Sequence, residues 1–112
     1  MEFRKQKPID LQIADRLMEQ ILAAELKEED RVPSVRDVAE AMGVNPNTVM
    51  RTFEFLQGEE IIYNRRGVGY FVSPDAKQKI LAEQRREFLE EELTLIRQKM
   101  QMLGIDIKEV LA

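Results

Sequence analysis

Between Pro33 and Arg51 the chain starts two helices in quick succession, with a glycine between the starts. Ser34-Val35-Arg36-Asp37 has the Ser-x-x-Asp form of a capping box, in which the hydroxyl takes an orphan helix N–H and the acid reaches back to the cap. Asn45-Pro46 offers a second N-cap, with proline at the first helical position, where its missing donor costs nothing. Gly43 between them suits the left-handed residue that closes a helix. Two short helices around so tight a turn form a helix-turn-helix, whose second helix is built to meet base edges in the DNA major groove.

The flanking sequence completes a small domain. Residues 1–8 are polar and basic (Arg4, Lys5, Lys7) and read as an arm ending at Pro8. From Ile9 to about Ala24, Ile13, Leu17 and Ile21 recur every four positions and give one helical face. Glu25 to Val32 is a charged connector. The helix from Ser34 to Met42 turns Val38, Ala39 and Met42 inward, and the helix from Asn45 to about Gly58 does the same with Val49, Phe53 and Leu56. The period then changes. Ile61-Ile62-Tyr63 and Tyr70-Phe71-Val72 are β-prone and enclose the turn Arg65-Arg66-Gly67-Val68-Gly69, closed off by Ser73-Pro74. Helices followed by such a hairpin make a winged helix-turn-helix, with the wing's arginines able to reach a phosphate backbone or minor groove.

From Asp75 to about Leu103 runs a helix without internal Gly or Pro. Leu89, Leu93, Ile96, Met100 and Leu103 follow a 4-3-4-3 spacing, and Leu81, Phe88, Leu95 and Met102 form a second row at heptad intervals. A lone helix cannot keep so wide an apolar stripe exposed, so Leu81, Phe88, Leu89, Leu93, Leu95, Ile96, Met100 and Leu103 are the expected dimer interface. Gly104 ends the helix, and Asp106-Ile107-Lys108-Glu109 opens a last short turn. The expected fold is mainly α: a winged helix-turn-helix over residues 8–75, then a helical dimerisation segment over 76–112.

Composition narrows the function. The chain has no Cys and no His, which removes disulfides, thiolate metal sites and histidine acid–base chemistry and suits a reducing cytoplasm. With no Gly-rich phosphate loop or metal-spaced cluster, neither catalysis nor a cofactor or metal is expected. No apolar run has the length of a membrane span. The segment after the wing is too short to enclose a pocket of ~300–1,000 Å3, so a small-molecule effector inside one subunit is not expected either. The net charge is −4, and the winged part carries ten Lys and Arg against fourteen Asp and Glu over residues 1–75. DNA binding must therefore come from the local placement of a few cations rather than from bulk charge.

The runs Asp30-Arg31-Val32-Pro33-Ser34-Val35-Arg36-Asp37-Val38-Ala39, Gly43-Val44-Asn45-Pro46-Asn47-Thr48-Val49 and Gly67-Val68-Gly69-Tyr70-Phe71-Val72 resemble the GntR family of bacterial transcription regulators. The short C-terminal segment and the form of residues 45–49 look like its YtrA branch. The resemblance covers about residues 8–75 and implies a winged-helix domain followed by two dimerisation helices. It further implies a homodimer on double-stranded DNA, acting as a repressor at a roughly palindromic operator. The chain departs from the family where arginines are frequent, at Pro46 and Met50, and where glycines are frequent, at Ala24, Glu29 and Glu60.

The candidate DNA contacts follow. Ser34 and Arg36 stand at a helix start, where backbone N–H groups and a guanidinium can clamp a phosphate; the alternative for Arg36 is a solvated surface charge. Asn45 caps the recognition helix. Asn47 can pair with adenine and Thr48 can meet a thymine, or both can merely satisfy helix-end donors. Arg51 shares their face, with Glu54 as a competing partner. Arg65, Arg66 and Gly67 form the wing contact, whereas Tyr63 and Tyr70 are read as cross-strand packing. The rival function is a protein-interaction module that keeps the winged fold and has lost DNA binding, motivated by the net charge, Pro46 and Met50.

Overall fold

The computed structural model describes residues 7–111, so the basic positions of the arm before Lys7 lie outside the described residues. Contacts divide the chain into two units, one ending at Leu81 and the other beginning at Ala82.

The first unit packs three helices, α1 (Ile9–Leu22), α2 (Val35–Met42) and α3 (Pro46–Gly58), against a hairpin of β1 (Ile62–Arg65) and β2 (Gly69–Val72). The core takes Ile13, Leu17 and Ile21 from α1, Val38 and Ala39 from α2, and Val49, Phe53 and Leu56 from α3. These are the inward positions that the helical periodicity selects, apart from Met42, which is only partly buried. Thr52 ties α1 to α3: its fully buried hydroxyl donates to the Asp10 carbonyl at 2.7 Å, so the polar atom is not left bare. The helix α4 (Ala76–Glu87) opens inside this unit. Ala76 and Ile80 are both 0% exposed, so the core runs past residue 75 to Ile80, and the unit ends at Leu81.

The wing is antiparallel, with Ile62 opposite Val72, Tyr63 opposite Phe71, and Arg65 opposite Gly69. The charged connector supplies a third, short strand-like segment. Glu29 N–H donates to Val72 C=O, Val72 N–H to Asp30 C=O and Val32 N–H to Tyr70 C=O, at 2.8–2.9 Å, and Arg31 bridges Phe71. With Val32 as its one β-branched residue the connector shows no strand signal, but the free edge of β2 offers it partners.

Four helices close with the same left-handed cap, in which the N–H of the residue after the left-handed one reaches five residues back. The bonds are Glu25 to Gln20, Val44 to Ala39, Ile61 to Leu56 and Ile105 to Met100, at 2.9–3.1 Å. Gly43 and Gly104 fill the left-handed position in two of them, as expected for α2 and the long helix. In α1 and α3 it falls to Ala24 (φ 62°) and Glu60 (φ 60°), and Glu29 (φ 70°) takes it in the turn Lys27–Asp30. These are the three positions where the resemblance implies glycines. The backbone therefore keeps the glycine conformation without the glycine, at about 1–2 kcal/mol per residue. Gly58 is the last residue of α3, as expected, and Glu60 rather than a glycine makes the turn.

In the second unit the helix expected to be uniform is interrupted. Residues Phe88–Glu92 form a π-helical turn, with Leu93 N–H donating to Phe88 C=O, and α5 (Leu93–Leu103) follows. The extra residue in that turn puts Phe88 in line with Leu93, Ile96, Met100 and Leu103, while Leu95 and Met102 keep their offset beside that row. The short α6 (Ile107–Val110) is capped by the Asp106 carboxylate, which accepts from Lys108 N–H at 3.0 Å. No helix among the described residues is long and apolar enough to cross a membrane.

Candidate nucleic-acid interface

The start of α2 is built as its sequence demands. Ser34 Oγ accepts from Asp37 N–H at 3.1 Å, and Gly43 (φ 65°) ends the helix two residues before the next cap. The return bond from the Asp37 carboxylate to Ser34 N–H is absent among the described residues, because aspartate is one methylene shorter than the glutamate of a full box. Arg36 is exposed in the first turn and has no ion-pair partner among the described residues.

At the start of α3, Asn45 Oδ1 accepts from Asn47 N–H at 2.8 Å, with Pro46 at the first helical position. That commits the Asn45 side chain to capping and leaves the exposed Asn47 side chain available. Thr48 is 9% exposed, and its hydroxyl accepts from Arg51 Nη2 at 3.3 Å. Arg51 therefore braces against Thr48 rather than Glu54, and keeps its remaining donors toward solvent. Met50, a departure from the family pattern, is exposed between them, so the outer face of α3 carries Asn47, Met50 and Arg51.

The wing separates its arginines. Gly67 (φ 78°) takes the third position of a β-turn closed by Val68 N–H to Arg65 C=O at 2.9 Å, which puts Arg66 and Gly67 at an exposed tip. Arg65 lies within β1, with its guanidinium 4.5 Å from the centre of the Phe71 ring. Tyr63 packs cross-strand beside Phe71 at 6.0 Å, as expected, whereas Tyr70 packs on α3 instead, meeting Phe53 edge-on at 5.0 Å. The Tyr63 hydroxyl donates to Glu29, and that bond holds its pKa above the ordinary phenol value. Arg31, to which sequence reasoning gave no role, also stands at the wing; only the unforeseen pairing of the connector with β2 places it there.

Beyond Leu81 the apolar side chains have no cover. Among the described residues none from Ala82 onward is buried, and Phe88 (45%), Leu89 (54%) and Leu103 (63%) are openly exposed. Leu95 is exposed as well, while Leu93, Ile96 and Met100 are half-buried; Leu81, at the end of the first unit, is exposed. Three cavities on the winged unit, of about 580, 520 and 390 Å3, are open surface grooves.

The profile of the bacterial regulatory proteins of the gntR family matches residues 9–72, the whole helix-turn-helix and wing. The chain belongs to the GntR family. Among GntR relatives, it is 36% identical over 110 residues to the Bacillus subtilis HTH-type transcriptional regulator YhcF, covering 98% of this chain and 89% of that one. It is 34% identical over 103 residues to the B. subtilis HTH-type transcriptional repressor YtrA, covering 92% and 73%. A solved GntR-family regulator from Bacteroides thetaiotaomicron superposes with a TM-score of 0.80 at 47% identity, over 92% of this chain and 89% of that one. YtrA from Sulfolobus acidocaldarius gives 0.60 at 32%, over 79% and 93%. The DNA-binding domain of AraR, solved with an operator, shares the fold at 19% identity and a TM-score of 0.59. This GntR chain is thus a helix-turn-helix transcription regulator of YtrA-like type.

Proposed function

We propose that the protein is a cytoplasmic repressor that binds double-stranded DNA as a homodimer, each chain placing α3 in one major groove of a roughly palindromic operator. The observation that carries this reading is the exposed front of the helix-turn-helix. Arg36 at the start of α2, Asn47 and Arg51 on α3, and Arg66 at the wing tip are exposed, while the groups around them are spent on capping. Asn47 offers its amide to an adenine edge, Met50 apolar surface to a thymine methyl, and Arg51 its free donors to base or phosphate. Ser34, Arg36, Arg66 and Gly67 position the backbone, and Thr48 acts by holding Arg51. The uncovered apolar row of the second unit supplies the dimer seam, and YtrA, named a repressor, supports the sign of regulation.

The test is fluorescence anisotropy with duplexes tiled across the region upstream of the protein's own gene. Binding should prefer one duplex over the rest and weaken steeply with salt. A folded protein that binds no duplex, or all equally, contradicts the proposal.

A further inference from the structure

Two arginines, distant in sequence, stand on one face of the wing beside one glycine. Gly69 is the cross-strand partner of Arg65. A Cβ at Gly69 would stand 3.2 Å from Arg31 Nε and 3.3 Å from Arg31 Nη2, so the Arg31 guanidinium lies close over Gly69 and would have to give by a few tenths of an ångström for a side chain there. Gly69 itself has φ 140°, a conformation side chains rarely adopt. Arg31 bridges Phe71, and Arg65 covers the ring of that same Phe71. Both cations are thus seated on one small patch of wing. Neither has a carboxylate within ion-pair distance among the described residues, and Glu29, the acid on this face, is bonded to Tyr63.

Like charges gathered on one strand face repel each other. An anion held between them reverses the sign, and guanidinium forks match phosphate oxygens geometrically. We propose that Arg31 and Arg65 form a clamp for one backbone phosphate of the bound duplex, with Gly69 as the seat that lets Arg31 reach it. The inference rests on the DNA-binding reading above and adds to it a residue outside the helix-turn-helix and the wing tip.

Binding of the preferred duplex and of a scrambled duplex is measured against salt concentration for the parent protein, Arg31→Gln, Arg31→Lys, Arg65→Gln and the double glutamine variant. Arg31→Gln should weaken both duplexes by a similar factor, roughly tenfold, and lower the slope of log affinity against log salt by about one per chain. Arg31→Lys should keep the slope. Because one phosphate is shared, the double variant should lose less than the sum of the two single losses. A parent slope retained in Arg31→Gln, even with a lowered melting temperature, shows that Arg31 only braces the wing and overturns the clamp while leaving DNA binding intact. Additive losses overturn the shared phosphate. A parent protein without salt-sensitive binding overturns the DNA reading itself.

Discussion

Replacing Ala24 with glycine should stabilise the protein, although glycine is ordinarily costly within a helix. Ala24 sits at φ 62° in the cap of α1 and is exposed, so its methyl contributes little burial. Left-handed geometry costs a residue with a Cβ about 1–2 kcal/mol. Glycine gives back ~0.4–1 kcal/mol through the added freedom of the unfolded chain. The difference leaves a net gain of about 0.5–1 kcal/mol, or roughly 2–8 °C in Tm for a domain of this size. Gly43→Ala is the mirror experiment. Its φ is 65° and nothing lies within 4 Å of the added Cβ, so the same two contributions act with opposite sign and the domain should lose about as much. Both are read by urea denaturation followed by circular dichroism, at one fixed protein concentration and with m unchanged. If Ala24→Gly is neutral or destabilising while Gly43→Ala costs the expected amount, the cap of α1 does not carry the strain its dihedral implies.

Three further outcomes follow from the same structure. Arg36→Ala should weaken binding to every duplex by a similar factor, whereas Asn47→Ala should reorder preference among operator variants, with each lost base contact worth ~1–3 kcal/mol; a binding-site selection on both proteins checks this. Leu93→Glu combined with Ile96→Glu should convert a dimer into a monomer by light scattering while leaving the melting of the winged unit nearly unchanged, since neither residue belongs to its core. Thr52→Val should destabilise by about 1–3 kcal/mol, because the Asp10 carbonyl loses its donor across the α1–α3 junction while the packing volume is kept; denaturation midpoints measure it.

Much of the winged unit was legible because its signals are local. Ser34, Gly43, Asn45 and Pro46 each state a backbone requirement, and Ile13, Leu17, Val49, Phe53 and Leu56 mark a face by period alone. What escaped depends on the partner. The segment Glu29–Val32 has no β signal and becomes strand-like only because β2 has a free edge. Thr48 looked like a base reader from its place in the recognition helix, but helix packing buries it and turns its hydroxyl to Arg51. Arg65 looked free at a tip and is laid over Phe71 by strand register. The left-handed caps at Ala24 and Glu60 were invisible to local propensity, since neither residue favours that region. The π turn at Phe88–Glu92 has no Gly or Pro to announce it; its trace is the five-residue step from Phe88 to Leu93 in an otherwise heptad row.

Hydroxyl-radical footprinting of the preferred duplex tests the central claim most directly, because it reads symmetry and contact together. Two chains related by a two-fold axis should protect two equivalent backbone patches, placed symmetrically about the operator centre and about one helical turn, ~10 bp, or a multiple of it apart. Arg66→Ala should thin both patches alike. A single unpaired patch, or protection that survives unchanged at high salt, contradicts a symmetric dimer that holds DNA through a sparse set of placed cations.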